Sequence, residues 1–352
     1  MEDYEKEIWE ILGQNQKKKH PLAKEAGTFF LCVLIGFVAV GLYLFFTIGP
    51  QGILSILTGL PQNQYIAPYI SQIISGGRAQ PTGIGAFGIY NDSGKIVPYS
   101  VETNYIQGSA SINQIFAYNQ TPPEGISSDG ASLQLNAMLV ITNLNSSEEI
   151  FLIQNVVGFE TNSDVLYYNP TVVSWRSFTS CGSWQSSTYT YNGKIESFCI
   201  LPGNDIPYTL PLSLKLELGL SIQLGVGVTI SYLINGADLG SFLVTDNEIK
   251  NATFLTSGYS TYNIGNGSVD LYDTELIFGG EGDGEATYFN SLNASLKLSY
   301  LNSTNNSFVE FPSFYSFGAD VAETADNLNV TPIGNGYYKV YNATRPGLRY
   351  LE

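Results

Sequence analysis

Asp273 and Glu275 stand two residues apart in Tyr272-Asp273-Thr274-Glu275-Leu276-Ile277-Phe278, just ahead of the glycine-rich Gly279-Gly280-Glu281-Gly282-Asp283-Gly284-Glu285. In extended backbone, residues i and i+2 share a face and lie roughly 6.6 Å apart, so the two carboxylates can converge. Coupled acids split their proton affinities, one rising and one falling, and hydrolysis by an activated water in acid needs such a pair. The same spacing also describes a solvated strand face, and spacing alone does not choose. The glycines let the following turn approach a neighbour or a ligand closely.

Amides form a second set. Gln134 and Asn136 lie on one face of the apolar run 131–141, and Gln154-Asn155 interrupts the apolar run 150–159. A hairpin across Asn143–Ser147 puts Gln154 opposite the region of Ala137. Buried amides must find partners. They are either structural, or a glutamine amide donates to a developing oxyanion while a glutamate activates water. A third set, Asp320 and Glu323, flanks small residues in Phe317-Gly318-Ala319-Asp320-Val321-Ala322-Glu323-Thr324.

The rest of the composition closes off other chemistry. The single histidine is His20 and the only cysteines are Cys32, Cys181 and Cys199, so Ser-His-Asp, Cys-His and His-rich zinc sites are excluded from the bulk of the chain. The glycine-rich turn lacks the lysine of a phosphate loop. A net charge of −16 without basic stripes argues against nucleic acid as a partner.

These groups need rigid elements to hold them. With 24 Tyr, 36 Gly and short alternating runs, the 352 residues read as all-β, an antiparallel β-sandwich expected in two subdomains, 81–245 and 246–352. Strands are expected at 83–90, 131–142, 150–159, 212–218, 221–234, 274–278 and 293–301. Turn signals include Asn143–Ser147, Asn192-Gly193, Asn235-Gly236 and Asn266-Gly267. Ahead of them, 28–48 is a run of 21 uncharged residues preceded by Lys17-Lys18-Lys19, long enough to span a bilayer as a single transmembrane helix. Residues 1–27 then form a cytoplasmic leader, 49–80 a stalk or pro-like linker, and the β domains lie outside the cell. An extracellular Cys181–Cys199 disulfide follows from that placement. Ten glycosylation sequons lie beyond the apolar run and none before it: Asn91, Asn119, Asn145, Asn251, Asn266, Asn293, Asn302, Asn305, Asn329 and Asn342.

Several stretches, in order, resemble the thermopsin family of archaeal acid proteases. They are 81–88, 117–120, Gly130-Ala131-Ser132-Leu133-Gln134-Leu135-Asn136, 153–156, Asp273–Gly280, 291–296 and 318–323. The resemblance implies an extracellular endopeptidase active in acid and heat, with a peptide or protein substrate and no metal or cofactor. It leaves the catalytic residues open, since the Asp-Thr-Gly signature of pepsin-like enzymes is absent. Family members are typically secreted, whereas this sequence carries a lysine-bearing leader and an apolar anchor; Ser177–Phe198 reads as an elaboration.

Glu275 is thus the candidate base, with Asp273, Asp320, Glu323 or Gln134 as its partner. Two non-enzymatic readings compete. One is a glycosylated surface, envelope or filament protein that kept the fold and lost the chemistry. The other is a carbohydrate-binding β-sandwich using Trp175 and Trp184.

Overall fold

The computed structural model describes residues 80–351, apart from 94, 175–177, 179, 192–193, 259–262, 265–267, 270–271, 283, 320, 322 and 344–349. The leader, the apolar segment 28–48 and the linker to residue 79 lie outside the described residues, as do Asp320, Asn266 and Trp175.

The described residues form strands and turns without a helix. Two large sheets account for most of them. The first runs in the order Gln185–Tyr191, Lys194–Ile200, Thr171–Ser174, Glu148–Glu160, Gly130–Asn143, Thr274–Gly279, Thr82–Ala86, Phe314–Phe317, Tyr350–Leu351. Ile249–Ser257 also pairs with Gly130–Asn143, and Ser100–Thr103 pairs beyond it. The second runs Ala237–Thr245, Gly227–Ile234, Leu212–Gln223, Tyr105–Tyr118, Ala286–Asn302, Tyr337–Asn342, Leu328–Gly334. Pairing is antiparallel except where Ala286–Tyr288 runs parallel to Thr324–Asp326. Residues on both sides of 245 contribute strands to each sheet.

Alternation explains how the sheets meet. From Gly130–Asn143, the odd residues Leu133, Leu135, Ala137 and Leu139 enter one buried core. Leu276 and Phe278 join them from the neighbouring strand, and Ile106, Ile112, Leu216 and Leu296 join from the second sheet. Burying each such side chain stabilises by about 1.5–3 kcal/mol. Gly108 sets how closely the layers approach: a Cβ there would lie 2.8 Å from Leu276 Cδ1 and 3.3 Å from Leu135 Cδ1. The even residues Ser132, Gln134 and Asn136 face the other way, and Met138 and Val140 continue that face into a separate apolar cluster with Ile150, Leu152, Val173 and Tyr272.

Some expected strands divide. The run 221–234 is interrupted by a turn, with the Val226 N–H donating to Gln223 O at 3.0 Å and Gly225 at φ 75°, so its halves belong to two strands. The run 83–90 breaks at Gly88, whose φ of 65° favours glycine. Asn235-Gly236, both at positive φ, makes the expected tight hairpin. Gln154 pairs with Asn136, one residue from its expected position.

Cys181 and Cys199 are joined in a disulfide. Trp184 beside it is buried, its ring 5.1 Å from Phe242 and 5.5 Å from Tyr232, so it offers no sugar platform. Among the sequons, Asn145, Asn251 and Asn305 are exposed, and Asn293, Asn302, Asn329 and Asn342 are half-buried. Asn119 is buried, and its Nδ2 donates to Glu285 Oε1 at 2.9 Å, so a glycan there would displace a buried carboxylate's partner.

Replacing both Cys181 and Cys199 by Ser removes a cross-link spanning a sequence separation of 18 residues. The loss expected on closing a loop of that size is about 3 kcal/mol, read as a lower midpoint in denaturant unfolding.

Candidate active site

Glu275 sits at the middle of the first sheet, paired with Asn136 on one side and Gly85 on the other. It is 0% exposed. A carboxylate in that position needs a donor for each oxygen. Its Oε2 accepts from Asn136 Nδ2 at 3.3 Å, and its Oε1 accepts from the Ala319 backbone N–H. The space for it comes from Gly318, where a Cβ would lie 2.3 Å from Oε2. Gly318 is itself held by its N–H donating to Pro81 O at 3.0 Å.

The amides continue from there. Asn136 Nδ2 also donates to Gln134 Oε1 at 3.2 Å, and Gln154 Nε2 donates to the same oxygen at 3.2 Å. Gln134 Nε2 donates to Ser132 Oγ at 3.0 Å, and that hydroxyl donates to Gly280 O. Gln134 is 2% exposed and Gln154 is 9%. The result is a continuous chain of hydrogen bonds across three adjacent strands, ending on Glu275. One edge is walled by rings: Tyr315 pairs with Gly85 and so shares the Glu275 face, and its ring lies 5.3 Å from Phe87 and 6.0 Å from Phe317.

The structure brings Glu275 and Gln134 together. Asp273 is buried two residues before Glu275. Glu323 lies beside Gly279, four residues along the strand from Glu275, with its Cβ 3.3 Å from where a Gly279 Cβ would stand. Among the described residues, no three His, Cys, Asp or Glu side chains come together to hold a metal ion. Sequence reasoning did not single out Ser132 or the Ala319 N–H. The Gly318-Ala319 pair ahead of two acids carried a weak signal of close approach.

A second acid group was also missed. It pins the glycine-rich turn. Glu281 Oε1 accepts from the Tyr167 hydroxyl, Oε2 accepts from the Ser127 N–H at 3.2 Å, and the Glu281 N–H donates to the buried Glu285 Oε2 at 2.8 Å. Gly158 leaves room for the Tyr167 ring, which would otherwise stand 2.1 Å from a Cβ. Burial pushes the Glu281 carboxyl above its usual value, with the nearby Glu285 and Glu160 adding to the rise and the bonds from Tyr167 and Ser127 opposing it. Burial also raises the Tyr167 phenol, reinforced by Glu281.

The family model of thermopsin matches residues 64–328. The chain is 32% identical over 320 residues to thermopsin of Sulfolobus acidocaldarius, covering 82% of this chain and 91% of that protein. Among solved structures, Scytalido-glutamic peptidase with a peptide-based transition state analog aligns at a TM-score of 0.33 and 10% identity, over 76% of this chain and 99% of that one. SCP-B, a member of the Eqolisin family of peptidases in complex with the tripeptide Ala-Ile-His, aligns at a TM-score of 0.31 and 10% identity, with the same coverage. The chain belongs to the thermopsin family and is an acid endopeptidase.

Because the Glu281 carboxyl is raised in the folded protein, the folded state holds its proton more tightly than the unfolded chain does. That contribution to stability is fully present below the unfolded value of 4.5 and is lost as pH rises through the folded value. Glu281→Gln, which cannot ionise, is expected to show a flatter fall in Tm between pH 3 and pH 7 than the unsubstituted protein, measured by calorimetry.

Proposed function

We propose that Glu275 is the general base of this peptidase and that the Gln134 amide is its oxyanion donor. The observation that carries the assignment is the single amide nitrogen of Asn136, which bonds both Glu275 Oε2, at 3.3 Å, and Gln134 Oε1, at 3.2 Å. Glu275 takes a proton from water as the water oxygen attacks the scissile carbonyl carbon. The carbonyl oxygen gains negative charge and is met by a Gln134 N–H. Glu275 then returns the proton to the departing amide nitrogen, the C–N bond breaks, and an acid and an amine leave. A base in contact with water contributes about 10²–10⁴-fold and an oxyanion donor about 10²–10³-fold. Asp273, Asp320 and Glu323 are assigned no step in this mechanism.

The apolar segment 28–48, with Lys17-Lys18-Lys19 ahead of it, supports anchoring by a single helix with the lysines inside and the peptidase outside the cell. The exposed sequons at Asn145, Asn251 and Asn305 suit a glycosylated exterior. Full-length chain is expected in the membrane fraction and a chain beginning at residue 49 in the supernatant; equal partitioning of both would overturn the anchor.

The catalytic assignment is tested by cleavage of a denatured protein across pH 1–7 with the full chain. Glu275→Gln should lower kcat by at least about 10²-fold. Gly318→Ala, which places a methyl against the carboxylate, should give a comparable loss with the fold retained. Acid cleavage that survives Glu275→Gln moves the base elsewhere, and absence of cleavage by the folded, unsubstituted chain favours a surface protein that has lost the chemistry.

A further inference from the structure

The direction of the hydrogen-bond chain carries information beyond its members. At one end stands Gly280 O, which can only accept. Ser132 has one proton and spends it there, so its Oγ presents only lone pairs to Gln134. The Gln134 atom 3.0 Å from that Oγ must therefore be Nε2, and Oε1 must lie on the other side of the amide. There it meets two nitrogens, Asn136 Nδ2 and Gln154 Nε2, each at 3.2 Å. At the far end Asn136 Nδ2 also donates to Glu275 Oε2, which as the base of the proposed reaction can only accept.

Both ends thus impose the same polarity. The reverse orientation of the Gln134 amide would set its oxygen against the Ser132 lone pairs and its nitrogen against two donors. Asn136 and Gln154 are amides that could turn over with Gln134, so the fixed points are Gly280 O, which takes the Ser132 proton, and the Glu275 carboxylate, which takes the Asn136 N–H. One hydrogen on Gln134 Nε2 is given to Ser132, which leaves the second for a substrate oxygen.

We propose that Gln154 and Ser132 are positioning residues that lock the Gln134 carboxamide with its N–H toward the substrate. Neither need touch the reacting atoms. Ser132 supplies an acceptor that only the correct orientation can fill, and Gln154 adds a bond to Gln134 Oε1 that the reversed amide keeps only if Gln154 turns over with it. The proposal rests on Gln134 being the oxyanion donor. An unlocked amide spends part of its time reversed, presenting oxygen to a developing oxyanion, so the loss falls on kcat and not on KM.

Full-length Gln154→Glu gives a readout that a merely structural role would not move. Protonated, the new carboxyl donates its O–H to Gln134 Oε1 and keeps the lock. Ionised, it only accepts, faces that oxygen lone pair to lone pair, and favours the reversed amide. An ordinary glutamate loses its proton near pH 4.3, and burial moves that upward. The ratio of variant to unsubstituted kcat should hold near unity on the acid side and fall about tenfold or more with rising pH, reversibly, with KM steady within about twofold. Gln154→Met, which has no donor, should lose about tenfold in kcat at every pH. Ser132→Thr should retain kcat where Ser132→Ala does not. A flat Gln154→Glu ratio in a folded variant that cleaves, or an unchanged kcat for Gln154→Met, overturns the lock while leaving Glu275 and Gln134 in place. Full activity of Glu275→Gln instead overturns the underlying assignment.

Discussion

A fully buried carboxylate, Glu275, is the constraint on which the centre of this molecule depends. Taking a charge out of water costs several kcal/mol unless its oxygens are met by well-placed donors. Glu275 meets that demand with an amide from the adjacent strand and a backbone N–H from a segment 44 residues away in sequence. A side chain at Gly318 would intrude on the carboxylate itself, with a Cβ 2.3 Å from Oε2. The demand passes down the line, because each amide recruited to satisfy Glu275 has its own polar atoms to place. One branch ends at Gly280 O and another at Gln154, while Asn136 Oδ1 is left buried without a partner. Ordering so many polar groups on one face of a sheet requires a backbone that does not shift, and the two-layer core beneath supplies it.

The glycine-rich turn shows the same logic at a different degree of exposure. Gly280 closes the hydrogen-bond chain, and the next residue, Glu281, fastens the turn to Tyr167 and to the Ser127 N–H. A clamp of half-buried Glu281 and buried Glu285 suits an enzyme that works in acid. Burial and the nearby Glu285 favour the protonated form of Glu281, while the bonds from Tyr167 and Ser127 favour the charged one, and burial wins.

Much of this was legible in the sequence because strands write their two faces in alternate letters. The run Leu133-Gln134-Leu135-Asn136 declares an apolar face and an amide face, and the neighbouring strand, with Glu275 between Thr274 and Leu276, matches it. Local turn chemistry at Asn235-Gly236 was equally direct. The divided strands were less so, since Gly88 and Gly225 break runs whose side chains all favour extension. The donors to Glu275 were partly hidden. Asn136 could be placed on the right face, but the Ala319 N–H is a backbone group with no sequence signature, and its position depends on pairing between Phe314–Phe317 and Thr82–Ala86. The bond between Tyr167 and Glu281 joins residues 114 apart, and nothing near either one announces the other.

One strand therefore serves two masters. Gly130–Asn143 gives its odd residues to the core, while the even residues Ser132, Gln134 and Asn136 carry the hydrogen bonds that lead to Glu275. A slip of one residue during assembly would exchange them, pushing Gln134 and Asn136 into the hydrophobic interior and leaving Leu133 and Leu135 on the face that carries Glu275. A molecule mispaired in this way would lose its core contacts and the Asn136 donor to Glu275 together. Accurate pairing of this strand and the supply of donors to Glu275 are then one requirement.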